Sequence, residues 1–310
     1  MFAKFLPIVV LLLVVFNSAC YAATDSTDLE VGDAKIQIEF LAADSPFPRD
    51  LALEWIRTAA RAVTSYYGRF PVPHLRIRVR AVEGDRIGSG RTFGTENGGV
   101  ITIAVGRSTT AERFQSDWMM THEMVHLAFP SVAEEHHWIE EGLATYVEPI
   151  ARAQIGDLTA VKVWSDLVRD LPQGLPQADD RGLDFTPTWG RTYWGGALFC
   201  LLADVEIRRR TGNAKGLQDG MRAVLEAGGN ISADWDLERI LRICDRATGV
   251  SVTQDLYAKM RADPHPVDLD ELWQKLGIER RGQAAVLRDD APLAAARRAI
   301  VPENDRTRQE

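Results

Sequence analysis

The segment MMTHEMVHLAFPSVAEEHHWIEEGLATYVE, residues 119–148, holds four of the six histidines of this 310-residue chain. It contains the pattern H-E-x-x-H as His122, Glu123 and His126. Helical residues four apart lie on one face, so both imidazoles can bind one ion, and imidazole nitrogen is a usual ligand of Zn²⁺. Glu123 points about 100° around the helix from His122, which suits a general base acting on water beside the metal. The pattern alone also fits an amphipathic helix with two hydrogen-bonded histidines.

A catalytic zinc needs a third protein ligand and an open position. In one class of zinc peptidases the motif continues as H-E-x-x-H-x-x-G-x-x-H. Phe129 and Val132 occupy the two additional positions here, which excludes that class. The other source of a third ligand is a carboxylate on the following helix. The segment WIEEGLATYVE, residues 138–148, is therefore the place to look for it.

HEMVH followed by WIEEGLATYVE resembles the gluzincin metallopeptidases, especially the glycyl aminopeptidase and aminopeptidase N families, whose second segment is close to W-x-x-E-G-x-A-x-Y. The resemblance covers roughly residues 90–290 and implies an α+β, thermolysin-like catalytic domain that binds one Zn²⁺ ion. It also implies that Glu141, which precedes the glycine, is the third ligand beside His122 and His126. The connection from His126 to Glu141 is shorter than is usual in the aminopeptidase N family, which predicts a tight helix–loop–helix.

The other polar groups of this segment are expected to have lesser roles. Glu140 falls where those families often carry a non-ligating polar residue, which favours a solvated or capping role. His136 and His137 follow acidic residues at a predicted helix start, and both are expected on the surface. Glu148 lies two turns beyond Glu141 on the same helix face. It could orient a zinc-binding histidine through a hydrogen bond, or it could be a surface carboxylate.

A tyrosine downstream is a candidate catalytic residue. The segment RTYWGGALFCLLADVEIRRRTGNAKGLQDGMRAVL resembles the glycyl aminopeptidase family, in which a tyrosine opens a Y-x-x-G-x-x helix. The resemblance implies that Tyr193 donates a hydrogen bond to the oxyanion formed when water attacks a carbonyl, since a phenol remains a donor at neutral pH. A packed aromatic at a helix start is the other interpretation. Tyr146 is the alternative donor, although its place in the Glu141 helix favours core packing.

Upstream, GTENGGVITIAV is similar to the substrate strand of the aminopeptidases, whose G-x-M-E-N motif holds the free amine of the substrate. The resemblance implies that Glu96 is the amine anchor, although the motif here is one residue short and lacks the methionine. The alternative is a polar loop before an edge strand, VITIAV, which could pair with an extended peptide. The amine anchor separates an aminopeptidase from an endopeptidase.

Strand patterns precede helical patterns along the chain. Residues 34–42, 73–82 and 100–106 alternate like strands, with a helix after the first and a glycine-rich loop at 83–99 before the third. From there the pattern is mainly helical, and the next helix is predicted over 110–128. Strands first and helices after predict an α+β domain rather than alternating βα units.

The predicted domain covers residues 35–302. It comprises a sheet-rich lobe, residues 35–108, and a helical lobe, residues 109–302. The polar residues 23–34 are predicted to be a linker, and residues 303–310 a disordered tail.

Residues 1–22 predict a secretory signal peptide. A 12-residue apolar run, Phe5 to Phe16, precedes small residues that end at Ala22, and it is shorter than the about 20 residues of a membrane span. The protein is therefore expected to be exported, periplasmic or secreted; the alternative is a lipid anchor on Cys20. No second long apolar run follows, so no stable membrane span is expected in the mature chain.

The charge composition of the chain bears on which kinds of partner it can bind. The formal net charge is −8, with no cluster of Lys or Arg to offset it, which argues against a nucleic-acid partner. Nothing in the sequence predicts an oligomeric state. Cys200 and Cys244 could form a disulfide in an exported protein or be two buried thiols.

Together these features predict an exported, zinc-dependent peptidase that hydrolyses a peptide or protein substrate. His122, His126 and Glu141 are the predicted ligands, Glu123 the base and Tyr193 the oxyanion donor. One alternative is a catalytically silent protein of this fold that binds a partner at the cell envelope. Another is a zinc hydrolase of a non-peptide amide, since the same attack by water serves any amide carbonyl.

Overall fold

The computed structural model describes residues 25–43, 46–282 and 284–303. The predicted signal peptide, residues 1–22, lies outside this part of the chain. So does the predicted tail, residues 303–310, except for its first residue. The signal peptide and the disordered tail therefore stay predictions.

Five strands near the start of the described chain form one sheet. They are β1 (Asp25–Val31), β2 (Ala34–Leu41), β3 (His74–Val82), β4 (Ile87–Thr95) and β5 (Gly98–Gly106). Their order is β1-β2-β3-β5-β4, with β2, β3 and β5 parallel and the two outer strands antiparallel to their neighbours. Because side chains alternate between faces, one face of the sheet enters the core, through Ile36, Ile38, Leu75, Ile77, Val79, Ile101 and Ile103.

The predicted linker over residues 23–34 contains the strand β1. This strand pairs with β2 over its whole length, from Asp25 opposite Phe40 to Val31 opposite Ala34. An outer strand satisfies its main chain on one side only and can carry polar side chains. Because the residues of β1 are mostly polar, the sequence pattern did not identify this segment as a strand.

The predicted glycine-rich loop at 83–99 contains the strand β4, and β4 rather than VITIAV is the outer strand at this end of the sheet. VITIAV belongs to β5, which pairs with β3 on one side and β4 on the other. The glycines of β4 allow close approach of other elements: a Cβ on Gly94 would lie 2.2 Å from the carbonyl oxygen of Ile231. Glycine inside a strand often marks such an approach, and it also weakens the strand pattern in the sequence.

The remaining chain is mainly helical. One helix, α1 (Arg49–Tyr67), lies between β2 and β3, and a small hairpin of β6 (Ile278–Arg281) and β7 (Ala284–Leu287) lies near the end. The mixed α and β architecture predicted from the sequence is confirmed, with a small sheet and many helices. The helices after β5 are α2 (Ala111–Ser116), α3 (Met119–His126), α4 (His137–Gln154), α5 (Ala160–Asp170), α6 (Gly196–Thr211), α7 (Leu217–Glu226), α8 (Leu237–Thr248), α9 (Val252–Met260), α10 (Leu269–Leu276) and α11 (Ala294–Ile300).

The helix predicted over 110–128 is divided into α2 and α3 at Asp117, which is extended. The Asp117 carboxylate accepts hydrogen bonds from Trp55 Nε1 at 3.0 Å and from the Met120 main-chain nitrogen at 3.3 Å. The second bond satisfies a free N–H in the first turn of α3, as a capping residue does. The break therefore gives α3 its own direction and start.

The short connection between α3 and α4, residues 127–136, is fixed by main-chain hydrogen bonds to the segment before α8. Ser131 donates to Ala233 at 2.8 Å and accepts from Trp235 at 3.0 Å. The Val132 main-chain nitrogen donates to Glu140 Oε1 at 3.1 Å. A short 3₁₀ turn then leads directly into α4. These contacts hold the two helices side by side despite the few residues between them.

Two further predictions concern cysteines and membranes. Cys200 and Cys244 are both buried free thiols, so of the two alternatives the structure shows the packed thiols. Among the described residues, no helix combines the length and the apolar character that crossing a bilayer requires.

Candidate metal centre and catalytic cleft

Three side chains from α3 and α4 converge on one point. Glu141 Oε2 lies 3.1 Å from His122 Nε2 and 3.6 Å from His126 Nε2, and one ligand atom from each residue lies within 4.8 Å of the others. Two ligands of a tetrahedral zinc at 2.0–2.1 Å would lie roughly 3.3–3.4 Å apart. The two histidines and the carboxylate therefore fit Zn²⁺ in chemistry and in spacing.

The electrostatics of this cluster suit a cation. Burial raises the pKa of Glu141, but hydrogen bonds from both histidines outweigh it and hold that pKa well below its usual range. The carboxylate is therefore an anion at neutral pH. Burial lowers the pKa of His122, which favours the neutral imidazole that a metal requires.

Glu123 lies beside this cluster and against the outer strand β4. Its side chain is buried, and its Oε2 accepts a hydrogen bond of 2.6 Å from Thr92 Oγ1. The same hydroxyl lies 2.9 Å from the main-chain oxygen of Glu123. A Cβ on Gly90 would lie 2.5 Å from Glu123 Cγ, so glycine is needed for the strand to approach this closely.

Tyr193 reaches the cluster because two glycines let α4 and the start of α6 touch. A Cβ on Gly142 would lie 2.3 Å from Gly196 Cα. Tyr193 lies on the π-helical turn Gly190–Gly195 just before this contact, with its ring 6.3 Å from that of His122. Single π-helical turns are frequent at functional sites. The glycine after Glu141 therefore helps to place the tyrosine beside the ligands.

The phenol of Tyr193 is a hydrogen-bond donor under physiological conditions. Burial, the charge of Glu141 and a hydrogen bond with that carboxylate raise the pKa of Tyr193 to about 12. The alternative donor, Tyr146, is fully buried and donates to Asp204 Oδ2 at 2.9 Å. Tyr146 therefore packs in the core, and Tyr193 is the tyrosine that faces the cluster.

These groups line a cleft of 680 Å³ between β4 and the two helices. Because β4 is the outer strand, its main-chain groups on the side away from β5 have no partner in the sheet. Such an edge can pair with an extended peptide. Residues Ser89 to Gly94 of β4 line the cleft beside the three candidate ligands, Glu123 and Tyr193.

The structure pairs Glu148 with Arg152 rather than with a histidine. It is 7% exposed, so it is not a surface carboxylate, and its Oε1 accepts a hydrogen bond of 2.9 Å from Arg152. The second nitrogen of His122, Nδ1, is buried and has no hydrogen-bond partner. No hydrogen bond therefore joins Glu148 to His122.

Glu96 lies in the exposed turn between β4 and β5, at the end of the hairpin. It does not line the cleft, whose β4 residues end at Gly94. Four residues of strand separate it from Thr92, or roughly 13 Å at 3.3 Å per residue. The structure therefore gives no support to Glu96 as an anchor for a substrate amine.

The adjacent histidines at the start of α4 have partners that the sequence did not reveal. His136 Nδ1 lies 3.1 Å from Asp184 and its side chain is mostly buried, so the surface position predicted for it is wrong. His137 is partly exposed and lies 2.9 Å from Glu140 and 3.4 Å from Glu141 Oε1. Glu140 therefore acts as a capping and bridging group, as one of its predicted roles allowed.

Two residues of the site were missed from the sequence, namely Thr92 and His137. Thr92 was assigned to a loop, although RTFGT alternates like a short strand. His137 contacts Glu141 one helical turn along α4, and that i, i+4 spacing could have identified it.

No family model and no curated protein matches the chain. Solved structures do match it. An aminopeptidase N family protein from Idiomarina loihiensis is similar with a TM-score of 0.62 and 13% sequence identity, over 83% of this chain and 49% of that one. In fold, this chain resembles the aminopeptidase N family.

An M1 zinc metallopeptidase from Deinococcus radiodurans is also similar, with 17% identity over 78% of this chain and 53% of that one, at a TM-score of 0.48. The chain thus spans about half the length of the solved structures it matches. At 13% identity, the likeness to the Idiomarina loihiensis structure shows the fold alone. The resemblance predicted from HEMVH and WIEEGLATYVE is confirmed at that level.

Proposed function

We propose that this protein is a zinc-dependent peptidase with a thermolysin-like catalytic domain that hydrolyses peptide bonds in the cleft between β4 and the α3–α4 pair. The observation that carries the proposal is the convergence of His122, His126 and Glu141 on one point, with Glu123 and Tyr193 lining the same cleft. The three residues would hold one Zn²⁺ ion. When bound, the ion polarises a carbonyl and makes water more acidic.

Glu123 is the general base in this proposal. Its carboxylate takes a proton from the attacking water and then transfers that proton to the nitrogen of the leaving amine. The hydrogen bond from Thr92 Oγ1 fixes the direction of the carboxylate before substrate enters. A fixed base needs less reorganisation during the reaction, which lowers the barrier.

Tyr193 stabilises the negative charge that develops on the carbonyl oxygen. Its phenol is protonated at neutral pH because its pKa is raised to about 12 by burial and by Glu141. Donors placed where charge develops contribute about 2.7–4 kcal/mol in well-studied hydrolases. The position beside His122 suits this role.

The substrate is held by its main chain along β4. The carboxylates among the described lining residues all have partners: Glu123 bonds Thr92, Glu140 bonds Val132 and His137, and Glu141 faces the histidines. The described part of the cleft therefore shows no unpaired carboxylate that would mark an anchor for a free amino terminus. Pairing with the open edge of β4 supports a peptide or protein chain as the substrate.

We also propose that the protein is exported. The support is the apolar run from Phe5 to Phe16 and the small residues after it. Amino-terminal sequencing of the protein from separated cell fractions tests this: a chain that begins near Ala23 in an extracytoplasmic fraction supports export, and a cytoplasmic chain that begins at Met1 contradicts it.

The peptidase proposal is tested with a proteome-derived peptide library, incubated with the zinc-loaded protein, with and without a chelator. Cleavage should require the metal, and mass spectrometry should give the cleavage positions. The matched control is Glu123→Gln, which should keep its zinc and lose activity by about 10²- to 10⁴-fold. Cleavage that is equal in chelator, or a Glu123→Gln variant with near wild-type activity, contradicts the proposal.

A further inference from the structure

A second cavity of 370 Å³ opens beside the catalytic cleft. The two cavities share Trp118, His122 and Tyr193 as lining residues. Anything bound at the metal-ligand cluster is therefore next to this second cavity. Its volume is at the low end for ligand sites, which suits one side chain rather than a whole peptide.

The walls of this side pocket are mainly apolar. The inner wall is formed by α5 through Val163 and Leu167, which are buried in the core. Aromatic rings add to this apolar surface, because Trp118, Trp189 and Trp194 all line the pocket.

Two of these tryptophans are largely exposed, and one contacts a proposed metal ligand while the other contacts the proposed oxyanion donor. Trp118 is 47% exposed and contacts the His122 ring edge to face at 5.1 Å. Trp189 is 61% exposed and stacks on Tyr193 at 5.7 Å. Large apolar side chains at the mouth of a cleft often mark a binding site.

The charged groups of the pocket are paired with one another. Glu148 pairs with Arg152 at 2.9 Å, and Asp166 pairs with Lys162 and with Arg169. Arg169 also pairs with Asp170, which completes the charged side chains among the described lining residues. Each of these six groups has a partner of opposite type, so the described part of the pocket offers no unpaired group to a charged substrate side chain. The pocket therefore favours an apolar occupant.

We propose that this side pocket binds a large apolar side chain, above all an aromatic one, of the substrate residue next to the bond that is cleaved. The inference rests on the proposed peptidase function and adds its specificity. Aromatic side chains bury large areas and pack edge to face or offset against other rings. Trp118, Trp189 and Trp194 supply such rings, and the buried apolar surface of α5 completes the pocket.

The test uses quenched fluorescent peptides that differ only at the residues flanking the cleaved bond, with Phe, Ala or Lys at each. For the wild type, kcat/KM with Phe should exceed that with Ala by about tenfold or more at one flanking position, because burial of the ring stabilises the bound state. Lys should show no advantage over Ala.

Two variants identify the pocket. Thr145→Leu places a larger side chain in it, and Trp189→Ala removes an exposed wall. Both should reduce the Phe-to-Ala ratio of kcat/KM by about fivefold or more. The matched control is Phe185→Ala, since Phe185 is 51% exposed in the same loop region but does not line the pocket. Its ratio should equal that of the wild type.

The outcomes separate this inference from the function on which it rests. If the zinc-loaded wild type cleaves no peptide, the peptidase proposal fails and the specificity fails with it. If the wild type cleaves but shows no preference for Phe, or if Thr145→Leu and Trp189→Ala keep the wild-type ratio, the pocket assignment alone is wrong. An equal loss of the ratio in Phe185→Ala also overturns it.

Discussion

Thr92 Oγ1 on the outer strand donates a hydrogen bond of 2.6 Å to Glu123 Oε2, so the sheet holds the carboxylate that we propose as the base. The matching substitution is Thr92→Val, which keeps the shape and removes the donor. Hydrogen bonds to charged groups contribute about 1.5–3 kcal/mol, so kcat should fall by about 10- to 100-fold. Zinc content, measured by elemental analysis, should not change.

The control for this prediction is Thr92→Ser, which keeps the hydroxyl and loses only a methyl group. It should recover most of the lost activity. A Thr92→Val enzyme with wild-type kcat, or a loss that serine does not repair, would show that the hydrogen bond plays no part in catalysis.

Tyr193 and Tyr146 allow a paired experiment, because one faces the cleft and the other is buried in the core. Tyr193→Phe removes the proposed oxyanion donor and should lower kcat by about 10²- to 10³-fold. Its free energy of unfolding, measured with urea, should stay near that of the wild type.

Tyr146→Phe should behave in the opposite way. It leaves buried Asp204 with one hydrogen bond fewer, which costs about 1–3 kcal/mol of folding free energy. Its kcat, measured with folded protein, should remain close to normal. The role given to Tyr193 is refuted if the two variants exchange these effects or if Tyr193→Phe turns over substrate normally.

The adjacent glutamates of α4 differ in what they bind. Glu141 faces both histidines, while Glu140 bonds the Val132 main chain and His137. Glu141→Ala should therefore lose zinc during dialysis, and Glu140→Ala should retain it. Elemental analysis of both proteins after the same dialysis makes the comparison, and equal zinc contents would remove Glu141 from the ligand set.

The proximity of His122 to His126 could be predicted from sequence because its geometry is local. His122 and His126 are four apart on one helix, and this spacing alone brings them together. Glu141 needed the resemblance to known families, since the packing of α4 against α3 depends on a connection that is fixed by Ser131 and the segment before α8. Sequence spacing contains no signal for such a contact.

The strand β4 shows why the rest was not predictable. Its glycines lower the apolar alternation that identifies strands, yet they are present because Glu123 and Ile231 approach the strand closely. What identifies β4 as a strand is the set of residues that contact it in the fold, and its own sequence does not contain that set. For the same reason the role of Thr92 and the distance of Glu96 from the cleft became evident only with the sheet order.

The raised pKa of the buried Glu148 carboxyl should make the stability of the protein depend on pH. Burial raises the pKa of Glu148 from 4.5 to about 7, although Arg152 opposes the shift. Between these two values the folded protein binds more protons than the unfolded chain, so the free energy of unfolding falls as pH rises through this window. The contribution of this group is at most about 3 kcal/mol. It is fully present below pH 4.5 and lost above pH 7.

The substitution Glu148→Gln removes this titration. Urea unfolding at several pH values between 4.5 and 8, with chelator present so that metal release does not contribute, should show a shallower decline for the variant than for the wild type. A decline should remain, because burial also raises the pKa of nearby Asp117, to about 6. The control is Glu271→Gln, an exposed carboxylate on α10, which should follow the wild-type curve. If the curves of Glu148→Gln and the wild type run parallel, Glu148 is ionised throughout this range. Its burial then makes no pH-dependent contribution to the free energy of unfolding.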